Sequence, residues 1–371
     1  MGIYIHTHDD WPNFHWDAAS LASRLAQVRY RQGLFRGRLA ALGFAAGQEQ
    51  GAMSVAQDVL ASSAIEGELL DAAQVRSSVA RRLGLPAATT LPLAKVSRHV
   101  DGAVSVLLDA TQNHAMPLSE ERLCEWHDAL FPPDANSVRE ITVGAWRRET
   151  GEPMRVVSGA FGHEHVHFEA LAAERVPSEM ARFLAWANAA NADDLVLKAA
   201  VAHLWFLTIH PFDDGNGRIA RAIAELFLAR SDTSTLQFNG LSSQILKERN
   251  DYYSALERAQ KGTLEITSWL TWFLGCFERS IQAAEASTAD ALRKGEFWRI
   301  HADAPLNGRQ RLLLNKLLDG FTGKLRSSKW ALLAKCSPDT ALRDIQDLET
   351  RGILEQEEAG GRSTSYRLRP F

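Results

Sequence analysis

The sequence predicts a mainly α-helical protein, with a short β-hairpin set into it and a tail of three helices and two strands. Three observations predict this. Apolar residues recur at helical spacing over most of the chain, in windows rich in Ala, Leu, Arg and Gln. From residue 136 to 168 the pattern changes, and Gly, Val and aromatic residues alternate with polar ones in ITVGAWRRETGEPMRVVSGAFGHEHVHF. From about residue 306 the chain reads as short helices followed by two short strands.

In chain order, residues 17–46 read as helix, and residues 50–84 as one or two more, ended by Gly84 and Pro86. The stretch PAATTLP, residues 86–92, reads as a loop and a first domain boundary. Helical pattern resumes at Leu93–Gln112 and Ser119–Phe131. After the hairpin region it returns at Pro177–Asn188, Leu195–Ile209, Gly215–Arg230 and Lys247 to about Gln282. In the tail, Asn307–Leu318 and Ser328–Lys335 read as helices. Ser337 is an N-cap candidate with Pro338 in the first helical position. Ala341, Ile345 and Leu348 line one face of that third helix, which Gly352 ends. Ile353–Glu355 and Thr364–Leu368 flank Gly360-Gly361 as strands, which completes a winged helix-turn-helix. The expected domains are 1–92, helical; 93–290, catalytic; and 300–371, winged helix.

Of the 371 residues, 46% are hydrophobic and 23% charged, ordinary for a soluble globular chain. A net charge of −4 argues against nucleic-acid binding by the chain as a whole. Cys124, Cys276 and Cys336 are few, odd in number and far apart, so neither a disulfide framework nor a structural zinc site is expected. The segment MGIYIHTHDDWPNF has no basic region followed by an apolar run. His6 stands where a myristoylation motif wants Ser or Thr, and the apolar run 199–209 is too short to span a bilayer. A cytoplasmic protein with no membrane partner is expected.

The most informative stretch is His210-Pro211-Phe212-Asp213-Asp214-Gly215-Asn216-Gly217-Arg218-Ile219-Ala220-Arg221. An apolar helix runs into it, and Pro211 disfavours helical geometry at His210. A second helix opens just past the glycines, with Ile219, Ile223, Leu226 and Phe227 on one face. The first amides of a helix lack intrahelical partners and sit at its positive end, which is the geometry of an anion site. Gly215 and Gly217 let backbone approach a ligand. Arg218 and Arg221 carry guanidinium forks suited to phosphate. Asp214 is a hard oxygen ligand for Mg2+, and His210 has a side chain able to act as a base near neutral pH. An ordinary helical hairpin with a glycine turn does not account for this concentration of residues.

This stretch resembles the Fic family signature, HxFx(D/E)GNGRxxR, at every defined position. The resemblance implies a mostly helical Fic fold and transfer of AMP from ATP to a Ser, Thr or Tyr hydroxyl of a protein target. It makes His210 the general base, Phe212 the loop's anchor and Asp214 the magnesium ligand. Gly215, Asn216 and Gly217 become the anion hole, and Arg218 and Arg221 bind the β- and γ-phosphates. The similar Doc kinases carry Lys where this chain has Gly217, so nucleotidyl transfer is preferred. UTP, GTP and CDP-linked donors remain open beside ATP, and the resemblance leaves room for a homodimer. Met154–Phe161 resembles the flap hairpin that clamps nucleotide and target, with Val157, Ser158 and Gly159 nearest the ligand. Tyr252 and Tyr253 resemble the paired tyrosines beside the adenine, and Gln260 falls where some members place an adenine-binding Asn. Core packing of a helix is the plainer account of the tyrosines.

Ser62-Ser63-Ala64-Ile65-Glu66-Gly67 lies in helical pattern, where Ser62 and Glu66 share a face. A solvated helix face would explain an isolated Glu. Beside the Fic signature, however, the run resembles the inhibitory motif (S/T)xxxE(G/N) of regulated Fic proteins. That resemblance pairs Glu66 with Arg221, withholding the arginine from the γ-phosphate; in some relatives this Glu also supports removal of AMP. The segment with Trp11, Trp16 and YRQGLF resembles the extra helical domain of many bacterial Fic proteins.

His163-Glu164-His165-Val166-His167 matches HExxH literally. A zinc protease needs that motif inside a helix. Gly159 and Gly162 precede it and β-branched residues surround it, so a hairpin arm is expected, with His163, His165 and His167 lining the flap. The tail offers a function of another class. From Leu306 to Phe371 it holds 12 Lys plus Arg against 8 Asp plus Glu. Arg343, Arg362, Arg367 and Arg369 could meet DNA phosphates. Asp339, Asp344 and Asp347 on the third helix oppose that, and a protein-docking or dimerisation module is the alternative.

Overall fold

The computed structural model describes residues 4–41, 44–85, 94–133, 141–148, 151, 153–158, 165–190, 194–232, 240–321, 323–357 and 364–371. The chain divides into two compact units, one of residues 1–36 and 47–285, the other of residues 37–46 and 286–371. The expected boundary at residue 92 lies outside the described residues.

Helices α1 (Ala18–Ala41), α2 (Phe44–Ile65) and α3 (Ala72–Arg82) open the chain. Asp71 caps α3, its side chain accepting from the amides of Ala73 and Gln74. Helices α4 (Arg98–Gln112) and α5 (Glu120–Leu130) are capped by Ser97 and Ser119. Strands β1 (Arg155–Ser158) and β2 (His165–Glu169) form an antiparallel hairpin with an irregularity between Val156 and Val157. Its arms are shorter than the alternating pattern suggested, since residues 141–148 run as turns and irregular chain. α6 (Val176–Asn188) leads to α7 (Leu195–Ile209) and α8 (Asn216–Asp232).

The pair α7 and α8 is the centre of the first unit. Every α7 residue from Val196 to Ile209 is buried. Burial on all sides explains why α7 reads as a continuous apolar run rather than an amphipathic stripe. Even Lys198 is buried, with its amine over the Trp186 ring and donating to the Ala189 carbonyl at 2.9 Å.

The stretch expected as one helix over Lys247–Gln282 instead holds the last residue of α9 (Leu241–Lys247), then α10 (Arg249–Gln260) and the start of α11 (Thr267–Ile300). Glu248 leaves helical torsions between α9 and α10, and a turn at Lys261-Gly262 separates α10 from α11. All three stretches carry the same apolar spacing, so periodicity alone did not reveal the breaks. The N-terminal segment packs into the same unit. Trp11 donates to Glu179 at 2.9 Å and its ring lies 6.2 Å from that of Trp205, while the His15 amide bonds to the Leu264 carbonyl at 3.0 Å.

In the second unit, α12 (Gly308–Leu318) starts with a capping box of Asn307 and Gln310. α13 (Ser327–Ala334) and α14 (Pro338–Thr350) follow, then strands β3 (Leu354–Gln356) and β4 (Tyr366–Leu368), which pair antiparallel. Gly352 ends α14 in a left-handed conformation, with its amide bonded to Glu349 and that of Ile353 to Leu348. Leu313, Leu314, Trp330, Ile345 and Leu348 form this unit's core with Phe297. Gly360, Gly361 and Arg362 lie outside the described residues. No described helix is long and apolar enough to cross a membrane.

Helices α4 and α5 meet at Gly102, where a Cβ would lie 1.7 Å from the Ala129 carbonyl oxygen. Gly102→Ala should therefore destabilise the protein by about 3 kcal/mol or more. Gly33→Ala on α1, with no neighbour within 4 Å of its Cβ, should stabilise it by about 0.5–1 kcal/mol. Urea midpoints of the two variants that moved together would contradict this.

Candidate active site

The site begins where α7 ends. Pro211 forces the chain out of the helix, and His210 takes a left-handed conformation (φ 53°, ψ 59°) while its amide still bonds to the Phe206 carbonyl at 2.9 Å. Such torsions are rare for a residue with a Cβ, so the surroundings must hold it there. Arg147 does so twice. Its Nε donates to the His210 carbonyl at 2.8 Å, and its amide donates to the Pro211 carbonyl at 2.8 Å.

Phe212 is fully buried and stacks on His127, with centroids 4.2 Å apart. The Gly144 amide donates to Nδ1 of His127 at 3.0 Å, so Nε2 carries the proton and donates to the Asp214 carbonyl at 3.2 Å. Burial holds His127 below its ordinary pKa, in keeping with that neutral role.

Asn216 does not present its amide to a ligand. Its Oδ1 accepts from the Phe212 amide at 3.0 Å and its Nδ2 donates to the Phe212 carbonyl at 2.7 Å. The side chain therefore closes the loop, and only backbone at this position is available to line an anion hole. Gly215 is required twice over, by its φ of 78° and by a Cβ that would lie 2.8 Å from the Phe131 ring. The first intrahelical bond of α8 runs from Ile219 to Gly215 at 3.1 Å, so the amides of Asn216, Gly217 and Arg218 precede the ladder.

Nδ1 of His210 lies 3.3 Å from the Leu207 carbonyl and must carry the proton there. This leaves the Nε2 lone pair able to accept a proton. Burial, with Arg147 contributing, pushes His210 down to about 4, so the ring is neutral at pH 7. Asp214, half-buried beside it, accepts the Gly215 amide at 2.6 Å.

Arg221 is 1% exposed and Arg218 9%. Arg221 donates to Ser62 Oγ at 2.9 Å, to the Ser62 carbonyl at 2.8 Å and to Glu66 Oε1 at 2.8 Å. Burial opposes its charge, but Glu66 and Tyr252 outweigh burial and hold the guanidinium above its ordinary range. Glu66 is not inside α2, as its periodicity suggested. It caps that helix, and Gly67 turns left-handed (φ 83°) just beyond. Glu66 Oε1 lies 2.1 Å from where a Gly217 Cβ would be, so the carboxylate rests directly on Gly217. A small cavity lies against both arginines, with Ser62, Ser63, Leu107 and Ser242 in its wall.

The structure brings His210, Asp214, Gly215, Asn216, Gly217, Arg218, Arg221, Ser62 and Glu66 together. The tyrosines part company. Tyr252 is buried, with its hydroxyl 2.9 Å from Nε2 of His203, while Tyr253 is 37% exposed with its hydroxyl 3.3 Å from the Ile65 carbonyl. Only Tyr253 offers ring surface to a ligand. Gln260 is buried at the end of α10. Val157 is exposed on β1 and Ser158 ends that strand; Gly159 lies outside the described residues, as do His163 and Glu164. His165 and His167 stand on strand β2, not on a helix, and His167 bonds to Glu257 at 2.7 Å. Sequence reasoning missed Glu68, His99, His127, Phe131 and Arg147. They reach the site through tertiary packing from the turn after α2, from α4, from the end of α5 and from residues 141–148, and no spacing signals them.

His203 sits under Tyr252 with Nδ1 3.1 Å from the Ala220 carbonyl, and burial pushes its pKa down to about 3. An unfolded histidine titrates near 6.5, so between those values protons bind the unfolded chain in preference and this residue's burial becomes less favourable as pH falls. His203→Gln should therefore be less stable than the native protein at pH 7. The gap should narrow by about 1.4 kcal/mol per pH unit below pH 6.5. A gap that stays constant from pH 7 to pH 5 in urea titrations would exclude this origin.

The family model of Fic/DOC proteins matches residues 117–228, and a domain of unknown function (DUF4172) matches residues 4–85. The chain is 25% identical over 236 residues to protein adenylyltransferase Fic of Nematostella vectensis, covering 62% of this chain and 49% of that protein. It is 31% identical over 96 residues to a probable protein adenylyltransferase of Aquifex aeolicus, covering 26% of this chain and 28% of that one. The matches thus span about half or less of these relatives' length. A crystal structure of a Fic family protein from Desulfovibrio desulfuricans G20 superposes with a TM-score of 0.53 at 20% identity, covering 93% of this chain and 96% of that chain. That likeness extends the shared helical fold to nearly the whole molecule. The chain therefore carries a domain of the Fic/DOC family, at residues 117–228.

Proposed function

We propose that this chain is a protein adenylyltransferase, which moves AMP from ATP to a side-chain hydroxyl of a target protein. One observation carries the reading. A neutral histidine with an available Nε2 lone pair stands beside a glycine-lined helix start whose two buried arginines hold carboxylates where phosphates would bind. Relatives named as adenylyltransferases support transferase chemistry and ATP as the donor.

In this mechanism the oxygen of a Ser, Thr or Tyr hydroxyl attacks the α-phosphorus while its proton passes to Nε2 of His210. The bond from that phosphorus to the bridging oxygen breaks, and pyrophosphate leaves with the electron pair. The α8 amides and the guanidinium groups of Arg218 and Arg221 take up the phosphate charge. Asp214 is the residue that would hold Mg2+, since its carboxylate is a hard oxygen ligand. When bound, the ion would neutralise phosphate charge. Tyr253 is the ring available to the base, and β1 with Val157 is the flap edge available to the target.

Glu66 acts as the inhibitor in this reading, since it occupies both Arg221 and the space over Gly217. Glu66→Gly should raise transfer of label from α-labelled ATP by about 10- to 100-fold, the equivalent of a charge-assisted hydrogen bond. His210→Ala should abolish transfer in both backgrounds. Unchanged labelling in Glu66→Gly would remove the inhibitory role.

For the second unit we propose a docking role separate from the chemistry. Asp344 is buried against Arg309 at 2.7 Å, and Asp347 is held by Arg351 and Gln310, both at 2.8 Å. Asp344 therefore faces inward and Asp347 is paired, while Asp339 stays exposed at the start of α14 and Arg343 stands on the exposed face of that helix. This favours duplex DNA. A gel shift that weakens as salt rises is the expected result, and no shift at low salt would rule DNA out.

A further inference from the structure

We infer that Glu68 is a second intramolecular competitor of the nucleotide: it occupies Arg218 as Glu66 occupies Arg221, so the connection after α2 blocks both phosphate-binding arginines at once. The inference rests on the adenylyltransferase reading and deepens it. The inhibitory motif ends at Gly67 and says nothing of residue 68.

The geometry starts from the end of α2. The Gly67 amide bonds to the Ala64 carbonyl at 3.0 Å, and the Glu68 amide bonds to the Ser63 carbonyl at 3.0 Å. With Gly67 left-handed, these are the two bonds that close a helix C-terminus in a Schellman motif. They fix residue 66 at the cap and residue 68 two positions beyond it, so two carboxylates leave one rigid turn toward the first turn of α8.

Glu68 Oε2 lies 2.9 Å from Arg218 Nη1. Its other oxygen bonds to Nε2 of His99 on α4. Nδ1 of His99 lies 3.1 Å from the Leu130 carbonyl. Both ring nitrogens of His99 thus face oxygen acceptors, which is satisfied only by the imidazolium. The bond to Glu68 raises the pKa of His99 accordingly. Burial opposes the Glu68 charge, but His99 and Arg218 outweigh it and hold the carboxyl below its usual range. Arg218 stacks on the Phe131 ring at 4.9 Å, and its buried Nε has no partner among the described residues. A carboxylate and a phosphate compete for the same fork, and a buried guanidinium with an unmet donor favours the ligand that offers more oxygens.

The test is ATP binding by calorimetry, read without turnover, on the full chain and its variants Glu66→Gly, Glu68→Gln and the double variant. Melting temperatures of the ligand-free proteins serve as a fold control. Glu68→Gln should tighten ATP binding by about 5- to 10-fold, and the double variant should exceed Glu66→Gly by a similar factor. Glu68→Asp, which draws the carboxylate back by one methylene, should give a smaller gain and replaces Gln if that variant melts early. If Glu66→Gly binds ATP and removal of the Glu68 carboxylate leaves affinity unchanged or weaker, Glu68 only positions Arg218 and the inference fails. If no variant binds ATP, the adenylyltransferase reading fails, and the inference with it.

Discussion

Two guanidinium groups buried on the first turn of one helix are the constraint from which the rest of the site follows. A buried charge without a partner destabilises a protein by about 3–5 kcal/mol. Arg218 and Arg221 therefore require anions whether or not a nucleotide is present. Glu68 and Glu66 meet that requirement from within the chain. A polyphosphate entering the site would exchange one set of anions for another rather than create a new charge balance.

The loop before α8 is held by a different set of forces, mostly neutral hydrogen bonds. Asn216 binds both backbone groups of Phe212, His127 spans Gly144 and Asp214, and Arg147 fixes the carbonyls of His210 and Pro211. These contacts are buried, where a satisfied network rigidifies and a broken one is expensive. They hold His210 in left-handed torsions that its own side chain disfavours. The protonation of the base is settled by the same packing. Burial keeps the ring neutral, and the Leu207 carbonyl decides which nitrogen carries the proton.

The N-terminal segment belongs to this scheme. α2 supplies Ser62 and leads into the turn bearing Glu66 and Glu68, while Trp11 and His15 tie the first residues into the same unit. The second unit has its own core around Trp330 and Leu348, and Asp344 and Asp347 on α14 are spent on internal bonds.

Much of the fold was legible along the chain because its signals are local. Helical spacing found most helices, Ser and Asp caps mark several starts, and Pro211 with the glycines placed the turn between α7 and α8. Local chemistry also singled out His210, Asp214, Arg218 and Arg221 as a set, since a phosphate site needs its groups close together in sequence at a helix start, whereas Glu66 entered only through its resemblance to the inhibitory motif. What the sequence could not decide depends on groups far apart along the chain. The breaks on either side of α10, the burial of Tyr252 against His203, the inward turn of Asn216 and the meeting of Glu68 with His99 and Arg218 follow from which surfaces pack together. Residue type sets the bonds a side chain is able to make, and only the packed structure decides which of them it makes.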